Sequence, residues 1–289
     1  MSCSFGILGW HVEGSLSPRL HTAALRVLGL AGEYRVFPVE PGCAAAAEIR
    51  GLLSKVRNGQ MEGLNVTTPF KEIVLPWLDD LTDESRGIGA VNTIYRESGS
   101  VIGDNTDARG FLADLNTQFA RRGGCALVLG AGGAARAVAY ALAATGWAVH
   151  VASRRLAQAR TLAAELTRDT SLNIKPVALD AHTLEDIRAD LVLLVNATPL
   201  GSAWQRERTP WPTGLDLPPR ATVYDLVYDP RETLLMKTAR EAGLQAIGGI
   251  GMLVEQAALA FERWTGYEAP RRAMMGAALD QTLVLPMEG

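Results

Sequence analysis

Residues 125–155 read CALVLGAGGAARAVAYALAATGWAVHVASRR. A short apolar run enters a glycine turn, an alanine-rich stretch continues to Thr145, and a second apolar run follows over residues 147–152. This order predicts strand, tight turn, helix and strand, the opening unit of a doubly wound sheet. The turn Gly130-Ala131-Gly132-Gly133-Ala134-Ala135 fits G-x-G-x-x-A in the strand-to-helix context that gives the pattern its meaning. Gly130 permits the tight turn, Gly132 lets a pyrophosphate approach the backbone, and small Ala135 lets the helix pack closely on the strand. Amides at the helix start, those of Gly133 and Ala134 among them, favour the phosphate charge.

An NAD site carries an acid about 20 residues beyond this turn, where it accepts from the ribose 2'-hydroxyl. Here the second strand ends in Ala152-Ser153-Arg154-Arg155. Two guanidinium groups stand where the acid would be, and they match a ribose 2'-phosphate in charge and in fork geometry. The expected cofactor is therefore NADP(H), with Ser153, Arg154 and Arg155 at its ribose phosphate.

Downstream the alternation continues, with a helix over 156–166 and strands over 175–179, 191–197 and 222–227. Residues 245–247 follow, and then two helices without an intervening strand, 252–264 and 270–283. Upstream, strands over 4–8, 34–39 and 63–66 alternate with helices over 17–28 and 44–56. That pattern predicts a parallel sheet. A hairpin over 91–96 and 100–103, turning at Glu97-Ser98-Gly99, closes the first unit. A helix over 108–121 then leads into the glycine turn. Ser17-Pro18 reads as a helix entry, the serine oxygen capping free amides and proline suiting the first turn. The expected fold is α/β with two domains: an N-terminal α/β substrate domain with a parallel sheet, and a Rossmann-type doubly wound NADP-binding domain. The returning helices make the first discontinuous, residues 1–106 with 247–289, around an inserted 107–246.

Composition agrees with a folded enzyme-sized chain. Of 289 residues 48% are hydrophobic and 20% charged, and Lys+Arg 28 against Asp+Glu 31 leave a net charge of -3, which argues against disorder and against a basic nucleic-acid surface. No apolar run approaches the roughly 18 residues of a membrane span, and the first residues lack a basic export region. Cys3, Cys43 and Cys125 suit a reduced, intracellular setting, so a cytoplasmic protein is expected. His11, His21, His150 and His182 show no metal-ligand spacing, and no metal is expected. The stretch 202–219, with its prolines and tryptophans, reads as a long loop over the ligand crevice.

Polar clusters lie at the strand ends of the first unit: Ser15-Leu16-Ser17-Pro18, Asn65-Val66-Thr67-Thr68-Pro69-Phe70-Lys71, Asn92-Thr93 and Gly103-Asp104-Asn105-Thr106-Asp107. Strand ends of one sheet face one crevice, where hydroxyls, amides, an ammonium and a carboxylate suit a small polyhydroxylated acid.

In order along the chain, S-L-S-P, N-V-T-x-P-x-K, G-A-V-N-T, N-T-D-x-x-G, G-A-G-G-A-A, N-A-T-P-L-G and G-G-x-G-M-L-V-x-Q-A resemble the motifs of the shikimate dehydrogenase family, from near Gly9 to near Gly266. The resemblance implies reversible, NADPH-dependent reduction of 3-dehydroshikimate to shikimate in aromatic amino-acid biosynthesis. It implies Lys71 and Asp107 as the catalytic pair. Ser15 and Ser17 would hold the substrate carboxylate, with Thr67, Asn92, Asp107 and Gln256 on its hydroxyl side and Tyr228 facing it. Thr198, Val227, Gly249 and Met252 would line the cofactor. The chemistry suits the pair, because oxidising a secondary alcohol needs a group that takes the hydroxyl proton and can return it.

The chain departs from the family where Gly9-Trp10-His11-Val12-Glu13-Gly14-Ser15 stands in place of G-x-P-x-x-H-S. Leu20-His21-Thr22 replaces I-H-N, and Glu255 replaces a histidine common before the glutamine. Alternatives within reach are a quinate/shikimate dehydrogenase using NAD and a catalytically silent NADP-sensing homologue. Retention of Lys71 and Asp107 speaks against the sensor. No nucleic-acid or membrane partner is expected, and the chain would act as a monomer or homodimer.

Overall fold

The computed structural model describes residues 3–168 and 170–280. Two six-stranded sheets divide them. The first is built from β1 (Cys3–Gly9), β2 (Gly32–Pro38), β3 (Gly63–Val66), β4 (Asp80–Leu81), β5 (Thr93–Glu97) and β6 (Ser100–Asp104), with α1 (Ser17–Val27), α2 (Ala45–Arg57) and α3 (Asp83–Ile88) between them. Its order is β2-β1-β3-β5-β6-β4. β1 pairs in parallel with β2 and β3, whereas β5 runs antiparallel to both β3 and β6, so the sheet is mixed and not wholly parallel. The two-residue turn at Ser98 and Gly99 forces this, since a hairpin reverses the chain. It also carries Asn92, just before β5, to the same edge as Thr67, just after β3.

The second sheet holds β7 (Cys125–Leu129), β8 (Ala148–Ser153), β9 (Ile174–Ala178), β10 (Leu191–Asn196), β11 (Thr222–Asp225) and β12 (Ala246–Gly248), all parallel, in the order β12-β11-β10-β7-β8-β9. Strand succession reverses between β7 and β10, which opens a crevice at their carboxyl ends. The sequence explains the parallel arrangement. Residues 126–129 and 191–196 are buried throughout, as expected for strands covered on both faces, here by α5 (Gly133–Ala144), α6 (Leu156–Thr167), α7 (Ala181–Ile187) and α8 (Leu234–Glu241).

Two helices return to the first sheet. α9 (Ile250–Thr265) and α10 (Arg271–Leu279) pack with α1, and Val254, Ala257, Phe261 and Met274 share a core with Phe5, Leu20 and Leu25. α4 (Thr106–Gln118) links the sheets and lies along α9. The expected helix over 108–121 begins two residues earlier because Asn105 caps it, accepting from the amides of Asp107 and Ala108, and it ends where Phe119 becomes extended. The expected helix over 270–283 is α10, and its last residues lie outside those described. Ser17 does not cap α1: Leu16 holds the capping position with no side-chain bond, and the Ser17 amide donates to Ser15 Oγ at 3.2 Å. No helix among the described residues is long and apolar enough to cross a membrane.

The α4–α9 crossing fixes the site, because Asp107 stands on one helix and Gln256 on the other. It needs Gly110, where an added Cβ would lie 2.7 Å from the Gln256 amide nitrogen and 3.0 Å from its Cα. Backbone atoms cannot swing aside. Gly110→Ala should therefore separate the helices and lower stability by about 1–3 kcal/mol in a urea melt, overriding the gain alanine brings to a helix. Unchanged or raised stability would contradict the close crossing.

Candidate functional site

Lys71 follows β3 in a turn pinned by its own carbonyl, which accepts the Val91 amide at 2.8 Å. Its Nζ stands 2.5 Å from Asp107 Oδ2, and both side chains are largely withdrawn from solvent, at 13% and 6% exposure. Asn92 Nδ2 donates to the other oxygen, Asp107 Oδ1, at 2.8 Å, and also to Thr106 Oγ1 at 2.9 Å and Gln256 Oε1 at 3.3 Å. Asn92 Oδ1 in turn accepts the Thr106 amide at 2.8 Å. Each carboxylate oxygen thus has its own donor, so the plane of the Asp107 carboxylate is fixed.

The network extends across the first sheet toward β2. Asn65 Nδ2 donates to the Asn92 carbonyl and to Thr93 Oγ1, and Asn65 Oδ1 accepts from the Tyr34 hydroxyl at 2.8 Å. The Ser17 side chain lies by the Tyr34 hydroxyl and the Ser15 side chain by that of Tyr228, and burial pushes both phenols up. They stay neutral hydroxyls. A continuous set of polar contacts therefore joins Ser17 to Lys71 through Tyr34, Asn65, Asn92 and Asp107. Thr67 sits half-buried at the end of β3, its amide bonded to the Leu8 carbonyl.

Behind this set the Tyr34 ring stacks on His21 at 4.3 Å and 8°. His21 is fully buried, and burial lowers its imidazole to about 3, which leaves the ring neutral and acting as an apolar platform. Sequence reasoning did not single out Tyr34, and it gave Asn65 no role of its own within its strand-end cluster. Tyr34 begins a predicted core strand, and Asn65 lies in a quoted motif but reads there as strand. A tyrosine and an asparagine in buried strands are a usable signal, since buried polar groups must find partners.

The expected cofactor residues lie at the carboxyl ends of β7, β8, β10 and β11 and at the start of α9. Gly130 adopts φ 121°, and an added Cβ would lie 2.9 Å from the Ala197 carbonyl oxygen. Only glycine meets both demands. At Gly132, the position before α5, an added Cβ would meet nothing within 4 Å, so that face of the turn is open to an approaching group. Ala134 is half-buried and Ala135 is buried where α5 meets the sheet. Ser153 Oγ donates to the Arg155 carbonyl at 2.7 Å, and Arg154 and Arg155 are exposed at the end of β8 with no acid beside them in sequence. These features fit a dinucleotide bearing a ribose phosphate: an open helix start for the pyrophosphate and exposed guanidinium groups beyond it.

Thr198 is held by Asn196, whose Oδ1 accepts both its amide and its hydroxyl. Val227 is buried, and its carbonyl accepts the Gly249 amide at 3.4 Å. An added Cβ at Gly249 would lie 2.2 Å from the Leu226 carbonyl oxygen, so the residue after β11 and the residue before α9 meet there backbone to backbone. Met252 is buried in the core with Phe111 and Ala135. The two halves of the site meet at Lys71, whose stem lies against Gly133. Among the described residues no group of three or more His, Cys, Asp or Glu could hold a metal ion.

Asp225, at the end of β11, is a buried acid that sequence reasoning left without a role. It accepts from Thr233 Oγ1 at 2.6 Å, Asn196 Nδ2 at 2.9 Å and the Val227 amide at 3.0 Å, yet burial pushes its carboxyl up to about 6. Since the folded value exceeds the unfolded one, the native state binds the proton more tightly. The resulting stability is present below about pH 4 and is lost as pH rises through 6, a swing on the order of 3 kcal/mol. Asp225→Asn should remove that swing, so the variant's stability relative to the parent should improve between pH 4 and pH 7 in urea melts. A constant difference between the two proteins would contradict it.

Residues 7–94 match the family profile of the shikimate dehydrogenase substrate binding domain, and residues 249–279 that of the shikimate 5'-dehydrogenase C-terminal domain. A shikimate dehydrogenase (NADP(+)) of Salinibacter ruber is 44% identical over 281 residues, spanning 94% of this chain and 95% of that protein. The crystal structure of shikimate 5-dehydrogenase from Thermus thermophilus in complex with NADP(H) and shikimate superimposes with a TM-score of 0.83 at 39% identity, covering 96% of this chain and 98% of that one. Quinate dehydrogenase from Corynebacterium glutamicum in complex with NAD gives 0.84 at 32% identity, with the same coverage. With both sheets, the glycine turn and the Lys71–Asp107 pair in place, likeness of this extent makes the chain a member of the shikimate dehydrogenase family.

Proposed function

We infer that the chain is an NADP-dependent shikimate dehydrogenase, interconverting 3-dehydroshikimate and shikimate. The observation that carries this reading is the Lys71–Asp107 pair, held within one polar network that ends at the serine and tyrosine hydroxyls and opens toward a glycine turn followed by paired arginines. When bound, the nicotinamide accepts the hydride from the alcohol carbon or supplies it to the ketone.

The chain's own residues do the rest. Ser15, Ser17 and Tyr228 present hydroxyls to the substrate carboxylate. Thr67 and Gln256 take the ring hydroxyls, and Asn92, whose amide protons already point at Asp107 and Thr106, chiefly orients the acid. In the oxidative direction the neutral amine of Lys71 takes the hydroxyl proton as the C–H electron pair leaves with the hydride. In the reductive direction the ammonium returns that proton to the forming alkoxide. Asp107 Oδ2 fixes the direction in which Nζ points. Gly130, Gly132, Gly133, Ala134 and Ala135 would seat the pyrophosphate, Ser153, Arg154 and Arg155 the ribose phosphate, and Thr198, Val227, Gly249 and Met252 the nicotinamide end.

The two sheets support a division into a substrate unit, 1–106 with the returning helices, and an inserted cofactor unit. The pairing of β12 with β11 supports ending the inserted unit at Gly248 in place of the expected 246. The NAD-using quinate reading lacks the ribose-binding acid it needs at the end of β8.

A spectrophotometric assay crossing shikimate and quinate with NADP and NAD tests the function, with kcat/KM highest for shikimate and NADP. Equal or better rates with quinate and NAD would overturn the specificity. Arg154→Ala should raise the NADP KM about tenfold and leave NAD within about twofold, the loss expected for one charge-assisted contact. An unchanged cofactor preference would place 2'-phosphate recognition elsewhere.

A further inference from the structure

Three glycines lie at the entry into α5, and their surroundings differ. Gly130 is demanded by its φ, and Gly132 faces open space. Gly133 has neither feature: it is the first residue of α5, with no left-handed backbone, and the dinucleotide pattern leaves its position free. A Cβ added there would nevertheless lie 2.8 Å from Lys71 Cβ, 3.0 Å from Cδ and 3.4 Å from Cγ. We propose that Gly133 is a positioning residue for Lys71, its missing side chain forming the seat against which the lysine stem lies, so that the start of the cofactor helix sets where Nζ stands.

Lys71 has nowhere else to go. A long side chain evades a clash at its far end by changing rotamer, but Cβ moves only with the backbone. The Lys71 carbonyl is fixed by the Val91 amide, and Nζ is fixed at 2.5 Å from Asp107. The residue after it is tied to the same helix turn. Arg136, buried on α5, donates through Nε to the Ile88 carbonyl at 2.9 Å, pairs with Glu165 at 2.7 Å and reaches Glu72 at 3.8 Å. Segment 71–72 is thus held against α5 by a steric contact and a charge contact one helical turn apart. A methyl at Gly133 must lift the stem or tilt the helix, and either displaces Nζ from Asp107.

This proposal rests on Lys71 being the acid–base group. The test is a cycle of Gly133→Ala, Lys71→Gly and the double variant, read by thermal melting, by kcat against pH, and by NADP+ titration using intrinsic fluorescence. Without the contact, alanine at the first turn of a helix would stabilise, so the sign of the change is informative. Gly133→Ala is expected to lower Tm in the parent and to leave it equal or higher in Lys71→Gly, where no lysine atom remains to be met. In the otherwise unchanged enzyme kcat should fall about tenfold or more with a displaced pH profile, as misplacement of a reacting group does. If Gly133→Ala fails to fold, recovery of folding in the double variant supports the seat, and no recovery overturns it. Equal Tm losses in both backgrounds, or a raised Kd with kcat intact, would also overturn it. Turnover retained in Lys71→Gly alone would instead refute the acid–base assignment, leaving the melting cycle as a separate reading of the contact.

Discussion

The contact between Lys71 and Asp107 is the constraint around which the molecule is arranged. A nearly buried charged pair is stable only when its remaining hydrogen-bonding capacity is met, and here Asn92 meets it on the second carboxylate oxygen. Asn92 is fixed in turn by the Thr106 amide and hydroxyl at the start of α4. The lysine comes from the first sheet and the acid from the helix that leaves it. Their distance therefore depends on how α4 is set against α9, and the notch at Gly110 sets that crossing.

Topology brings the remaining groups to the same place. The carboxyl ends of β1 and β3 present Ser15, Thr67 and Lys71, and the antiparallel β5 contributes its amino end, and so Asn92, to that edge. In the second sheet the reversal between β7 and β10 opens the gap into which Gly130 and Thr198 turn. The polar network on one side and the open helix start on the other meet at Lys71. The Lys71 ammonium is thereby oriented before any ligand arrives, the kind of preorganisation that limits reorganisation during a reaction.

Much of this was legible in the sequence because local pattern carried it. The glycine turn, its strand and its helix lie within 31 consecutive residues, and the polar clusters sit where apolar runs end. What sequence missed depended on distant partners. Tyr34 and Asn65 become hydrogen-bonded neighbours only when β1, lying between β2 and β3, brings their strands together. Arg136 read as one more helix residue until Ile88, Glu72 and Glu165 surrounded it. Ser17 fits a helix cap by local rule, but Leu16 already has helical backbone, so the capping position falls there and Ser17 becomes the first residue of α1. The mixed first sheet followed from a hairpin that was foreseen without its consequence for strand direction.

The measurement that bears most directly on this account is the change in kcat for shikimate oxidation in Lys71→Ala, Asp107→Asn and the double variant, with NADP+ saturating. If the two side chains act as one acid–base unit, each single change should lower kcat about as far as the double change, because groups that work together are strongly non-additive. Losses that multiply, or a Lys71→Ala variant with near-parental turnover, would show that the pair is a structural ion pair and that the proton moves elsewhere.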